Sequence, residues 1–228
     1  MQSQAMQLLV SKESVEWYTP SYIIEMAREV MGNIDLDPAS HPIPQQWIQA
    51  KQYYQFDLTG FKPDPSWSTQ VLKHRLKHLS LAQMLEQPQW TGRVWLNSPF
   101  DSTTAWIRRL IHDYDLGGLE AIALVNSNLG YKWFEDLWNA YPVCCARERI
   151  RFVKEDGTVG GEAKRGQTFV YLGPNVDRFA EVFSRIGRII LPGNPISPSA
   201  TMRRRERMTL DRVIHEVSED LARNALVM

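Results

Sequence analysis

The chain has 228 residues, of which 43% are apolar and 23% charged, the balance of a soluble globular protein with room for one sizeable core. Lys and Arg together number 26, as do Asp and Glu, so global charge gives no support for a nucleic-acid partner, and any such contact must come from a local basic face. No apolar run reaches membrane-spanning length, which leaves no membrane partner expected.

Cys144 and Cys145 are adjacent, so they cannot close a useful loop and form no metal cluster with a nearby His. They read as core residues of a strand in a reducing, cytoplasmic setting. The eight Trp residues suit either a stacking surface or a packed aromatic core, with the core as the default.

In chain order, residues 1–16 read as a loosely ordered leader. Thr19-Pro20 opens a helix, with Thr19 as N-cap and Pro20 at the first helical position. Ile23, Ile24, Ala27, Val30 and Met31 recur at helical spacing until Gly32 stops the helix. Ile34-Asp35-Leu36-Asp37 is a short strand halted at Pro38, followed by a polar loop from Ala39 to Pro42. A second strand spans 53–56 and leads into Asp57-Leu58-Thr59-Gly60.

Residues 62–90 change in composition. Pro63, Pro65 and Pro88 bracket a basic helix over 71–85 with Lys73, His74, Arg75, Lys77 and His78. This segment reads as an insertion rather than a sheet element, its basic face either solvated or in contact with phosphates. A strand over 93–96 then ends at Asn97. A helix over 103–112 and an apolar strand over 119–125 follow. Further on come a helix over 133–138, strands over 143–147 and 150–153, a turn at Asp156-Gly157 and a flexible link at Gly160-Gly161. A strand over 168–172, a helix over 176–186 and a strand over 188–191 complete residues 1–193. Residues 194–228 form a tail, Arg-rich over 202–208, with an amphipathic helix through Leu210, Val213, Ile214, Val217 and Leu221.

Strands alternating with helices predict an α/β sheet with helices on both faces, whose ligands bind beyond the carboxyl ends of its strands. Asp37, Asp57 and Asn97 each fall at such an end. The tetrapeptide Asn97-Ser98-Pro99-Phe100 is the most pointed of these. An adenine-type amino nitrogen is a poor nucleophile because its lone pair is delocalised into the ring. Two acceptors on its hydrogens, the Asn97 side-chain oxygen and the Ser98 backbone carbonyl, would draw that nitrogen towards tetrahedral geometry. Phe100 would stack on the base, and in-line methyl transfer would then need positioning and charge complementarity rather than a nucleophilic Cys or a metal. A strand followed by an ordinary Asn-Ser-Pro turn is the alternative reading.

With Glu16-Trp17-Tyr18-Thr19-Pro20, Asp35-Leu36-Asp37-Pro38-Ala39-Ser40 and Asn97-Ser98-Pro99-Phe100 in this order, the chain resembles the phage-type DNA adenine-N6 methyltransferases over most of residues 16–191. The resemblance implies a Rossmann-like S-adenosylmethionine-dependent methyltransferase fold with a mixed sheet, and methyl transfer from S-adenosylmethionine to adenine N6 in duplex DNA. It implies that Trp17, Tyr18, Thr19 and Pro20 cover the methionine end of the cofactor. Asp37 and Pro38 would match the acidic first-strand motif, with Asp37 near the cofactor's charged amino group. Asp57 would accept from the cofactor's adenine amine, although an Asp in a turn before Gly60 is equally natural.

Two features depart from that family. Ser98 stands where the family has Pro, and Ser40-His41-Pro42 replaces the glycine-rich loop of many methyltransferases. Cytosine N4, RNA or a protein amide are alternative acceptors. A non-catalytic nucleic-acid-binding module is the alternative outside the enzymes. DNA contacts are expected from residues 62–90 and from the Arg-rich tail, and the oligomeric state is left open between monomer and homodimer.

Overall fold

The computed structural model describes residues 18–193, apart from residues 60, 63, 65, 101 and 155. Trp17, the leader and the tail of residues 194–228 lie outside the described residues.

A seven-stranded mixed sheet organises the chain. Its strands are β1 (Leu36–Ser40), β2 (Gln52–Gln55), β3 (Gly92–Asn97), β4 (Leu119–Asn126), β5 (Val143–Ala146), β8 (Gln167–Leu172) and β9 (Gly187–Ile190), in spatial order β2-β1-β3-β4-β8-β5-β9. β2, β1, β3 and β4 run parallel, whereas β8 is antiparallel to both β4 and β5, and β9 is antiparallel to β5. β6 (Arg151–Val153) and β7 (Val159–Glu162) form a separate hairpin. The helices are α1 (Ser21–Met31), α2 (Gln45–Ile48), α3 (Thr69–Glu86), α4 (Thr103–Leu116), α5 (Lys132–Ala140) and α6 (Val176–Phe183).

Period-two alternation divides the core between the two faces of the sheet. Val94, Leu96, Ala121, Ala123, Val170 and Leu172 pack with Leu81 and Met84 of α3, Trp106 and Leu110 of α4 and Phe134 of α5. Trp95, Ile122, Leu124, Phe169 and Tyr171 pack instead with Ile23, Ile24 and Ala27 of α1 and with Phe179 and Phe183 of α6. Cys144 belongs to this second cluster, and burial pushes its thiol up to about 12. Both cysteines are free, and the default of a packed aromatic core describes Trp90, Trp95 and Trp106, all buried.

Several element boundaries differ from those read in the sequence. Thr19 does not cap α1: the N-cap residue is Pro20 and no side chain caps the helix, because the Thr19 hydroxyl is engaged elsewhere. β1 starts two residues later than expected and runs through Pro38, where its pairing with β2 shifts register. A proline that cannot donate to the ladder is accommodated at such an irregularity. Gly160 and Gly161 are not a link but part of β7, held by pairing with β6. Asp156-Gly157 is the expected turn, with Gly157 at φ 79° and the Asp156 carboxylate accepting from the Thr158 N–H at 2.9 Å.

The basic segment is not an appendage. α3 is the connection between β2 and β3, and its C-terminal end is fastened to the domain. The buried Arg109 of α4 donates to the carbonyls of Met84 (3.2 Å), Gln87 (3.1 Å) and Pro88 (2.8 Å). It also pairs with the buried Asp113 at 2.7 Å, and Asp113 in turn accepts from the Trp90 N–H at 3.0 Å. Gln87, just after the helix, donates to the Pro38 carbonyl at 3.1 Å, tying α3 to β1.

Candidate functional site

The chain runs from β1 outward to β2, then crosses back to place β3 on the other side of β1 and β4 beyond it. Strand order therefore reverses between β1 and β3, the position at which open α/β sheets form a ligand crevice beyond their strand ends. A cavity of 480 Å³ lies there, lined by Asp37, Pro38 and Ser40 of β1, Gln55 and Phe56 at the end of β2, and Asn97, Ser98, Pro99 and Phe100 at the end of β3. This is a volume typical of small-ligand sites.

Further segments complete its wall. Tyr18 and Thr19 enter from the N-terminal side, held over the sheet by backbone, ring and indole contacts. Tyr18 forms a two-bonded bridge with Val153 of β6, each N–H···O at 2.8 Å. Its ring stacks with His41 at 6.2 Å and meets Trp47 edge-on. The Thr19 carbonyl accepts from the Trp47 indole at 2.9 Å. Opposite them α3 presents Lys73, Leu76, Lys77, Ser80, Gln83 and Met84, a set with the three-and-four spacing of one helix face. Trp106 of α4 also contributes, as do Pro44 and Ile48.

Polar groups in this wall are left without partners. Among the described residues, the buried side-chain atoms lacking a hydrogen bond include Asp37 Oδ1, Trp95 Nε1, Asn97 Oδ1, Ser98 Oγ and Trp106 Nε1, and each of these five residues lines the cavity. A buried polar atom without a partner costs about 1–3 kcal/mol, so its retention calls for a ligand or solvent to satisfy it.

Asn97 ends β3, and its Nδ2 donates to the Thr19 hydroxyl at 3.3 Å, leaving Oδ1 as an unpartnered acceptor. The carbonyl of Pro99 accepts from the Ser102 N–H (3.2 Å) and the Thr103 hydroxyl (3.3 Å), and the Phe100 carbonyl accepts from that same hydroxyl (3.2 Å). Those two carbonyls serve the start of α4. The Phe100 ring is 45% exposed and rests edge-on against Phe152 at 6.4 Å, so one aromatic face is available beside the cavity.

The two carboxylates of Asp35-Leu36-Asp37 have opposite environments. Asp35 lies at the far end of β1, where hydrogen bonds from Arg93, with further help from Lys51, hold it well below the usual carboxylate range. Asp37 is 2% exposed, and burial pushes it up to about 7 against the opposing hydrogen bonds of Ser40, Ala39 and Gln45. Gln45 Nε2 donates to Asp37 Oδ2 at 2.8 Å and to Ser40 Oγ at 2.7 Å. A cation placed on the unpartnered Oδ1 would favour the charged form.

The structure thus brings Tyr18, Thr19, Asp37, Pro38, Asn97, Ser98, Pro99 and Phe100 to one cavity. It does not bring Pro20 or Asp57 to the wall. Pro20 is buried at the start of α1. Asp57 is exposed and its carboxylate closes a local turn on the Thr59 N–H at 2.7 Å. Sequence reasoning missed the α3 face, Gln45, Trp95 and Trp106. The α3 residues were detectable as a helical stripe, but Trp95 and Trp106 resembled ordinary core residues.

Among the described residues no group of three or more His, Cys, Asp or Glu side chains could hold a metal ion, and no helix is long and apolar enough to cross a membrane. Compared with known proteins, the chain matches no family model and no curated protein. The architecture defines the class as far as the fold carries it: an α/β protein with a mixed seven-stranded sheet and a cavity at its switch point.

Proposed function

We propose that the chain is an S-adenosylmethionine-dependent methyltransferase of Rossmann-like fold, acting on the N6 amino group of adenine in DNA. The observation that carries the reading is the unpartnered Asn97 Oδ1 at the β1/β3 crevice, oriented by Thr19. An amide oxygen held without a partner is an acceptor for a planar amine.

In this reading the target base leaves its stack and lies against Phe100, whose exposed ring suits stacking. Asn97 Oδ1 accepts one hydrogen of the amino group. The Ser98 carbonyl accepts the other, since the carbonyls of Pro99 and Phe100 are taken by Ser102 and Thr103. Both acceptors strengthen as positive charge develops on nitrogen, which is differential stabilisation of the transition state. Ser98 acts through its backbone, so its departure from the family's Pro leaves this acceptor in place.

The cavity residues fit the cofactor. Asp37 Oδ1 suits its ammonium group, and Tyr18 and Thr19 close over the same space. Bound there, S-adenosylmethionine would supply an electrophilic methyl on a sulfonium, and Asn97 and Ser98 would hold the amino nitrogen towards it.

The test combines calorimetry with nucleoside analysis. The protein should bind S-adenosylhomocysteine, and duplex DNA incubated with it and S-adenosylmethionine should yield N6-methyladenine on mass analysis. Absence of cofactor binding overturns the methyltransferase reading. N4-methylcytosine in place of N6-methyladenine overturns the substrate alone.

A further inference from the structure

Asp37 and Trp95 are neighbours across the switch point. Leu36 pairs with Val94 in the parallel β1–β3 ladder, so the next residue on each strand, Asp37 and Trp95, projects to the opposite sheet face from that pair. Trp95 accordingly packs with the α1 and α6 side of the core, away from Val94. Both residues line the cavity, both are at least 98% buried, and each holds one polar atom without a partner: Oδ1 on Asp37, an acceptor, and Nε1 on Trp95, a donor only.

We propose that this pair binds the α-amino-acid end of the ligand, Asp37 taking the ammonium group and Trp95 Nε1 donating to the carboxylate. The inference rests on the methyltransferase reading and deepens it by assigning a residue to the carboxylate. An acceptor and a donor on adjacent strands match a group that carries an ammonium and a carboxylate on one carbon. A group that only donates, such as an ammonium alone, or only accepts, such as an unprotonated ring nitrogen, would satisfy one of the two and leave the other buried and unpaired. In the methyltransferase reading the ligand's ammonium and carboxylate satisfy both atoms, and the same ligand without its carboxylate leaves Trp95 Nε1 desolvated and unpaired. Gln45 donates to the other Asp37 oxygen and is itself anchored on Ser40 Oγ, so the carboxyl is held before the ligand arrives.

The experiment compares S-adenosylhomocysteine with its decarboxylated analogue by calorimetry, on wild-type protein and on Trp95→Phe. Wild-type protein should bind the intact compound about tenfold to a hundredfold more tightly, the effect of one hydrogen bond to a charged group. In Trp95→Phe that advantage should vanish, while affinity for the decarboxylated analogue stays unchanged. Equal binding of the two compounds by wild-type protein overturns the inference, and this arm needs no variant, so it decides even if Trp95→Phe fails to fold. An advantage that persists in a folded Trp95→Phe also overturns it. Failure of wild-type protein to bind either compound strikes the methyltransferase reading instead.

Discussion

Asn97 and Thr19, seventy-eight positions apart, meet through one hydrogen bond in which the Asn97 amide nitrogen donates to the Thr19 hydroxyl at 3.3 Å. The bond engages the amide nitrogen and leaves Oδ1 as the unpartnered acceptor. Thr19→Val removes the acceptor at nearly constant shape, so methyl transfer should fall about tenfold in kcat, and Thr19→Ser should restore it. Asn97→Ala should lower kcat by at least about 10²–10³-fold, the scale for losing one preorganised polar group at the reacting centre. Thermal melts separate this from unfolding. Full activity in Asn97→Ala would remove Asn97 from the catalytic role.

Ser98 is buried with an unpartnered hydroxyl. If it acts through its carbonyl, Ser98→Ala deletes only the orphaned oxygen. The variant should keep wild-type kcat and gain up to about 1 kcal/mol of stability, read by urea denaturation. A large loss of kcat would assign the hydroxyl a chemical role.

Asp37 makes stability depend on pH. Its folded value of about 7 lies above the ordinary unfolded value of 3.8, so between these pH values the folded chain holds a proton that the unfolded chain has lost. That contribution is fully present below the unfolded value and is lost as pH rises through 7, a change of a few kcal/mol at most. Denaturation at pH 5 and pH 8 should show wild-type protein losing more stability than Asp37→Asn over this interval. His41, Lys73 and Lys77 also line the cavity, and their contribution is common to both proteins. A cationic ligand on Oδ1 should release a proton on binding near pH 6, seen as a buffer-dependent calorimetric enthalpy.

Arg109 and Asp113 secure α3 above the cavity through a fully buried pair. Arg109→Ala removes the guanidinium from the buried Asp113, which keeps only the Trp90 N–H and His112, and should cost roughly 3–5 kcal/mol in chemical denaturation. Hydrogen exchange should rise first in residues 69–86, because three carbonyls at the end of α3 lose their donor.

Lys77 is half-buried in the cavity wall, with no ion pair among the described residues. If α3 meets the phosphate backbone, Lys77→Ala should weaken DNA binding and reduce the slope of log K against log salt by about 1. An unchanged slope would restrict α3 to walling the cavity.

Much of the fold is legible in the sequence because periodicity is a local property. Alternating strand and helix patterns place nearly every element within a few residues, and Gly32 ends α1 as composition predicts. The Asn97-Ser98-Pro99-Phe100 turn is visible at a strand end for the same reason. Thr19 was misread as a helix cap because a Thr before a Pro looks the same whether its hydroxyl turns to the helix or to a distant amide. Asp35 and Asp37 stand two residues apart in similar text, yet Arg93 pairs with one and burial isolates the other. Asp57 offers an equally plausible carboxylate, but a local turn on Thr59 keeps it off the wall.

By itself, then, the sequence determined the alternation of elements and the residue types waiting at the strand ends, since both follow from local spacing. Only the tertiary structure decided that β1 and β3 lie side by side at the switch point, that a basic helix walls their crevice, and that Asp37, Trp95 and Asn97 keep polar atoms unpartnered there. Strand order, burial and hydrogen-bond partners are set by contacts between residues far apart in the chain, and no local pattern encodes them.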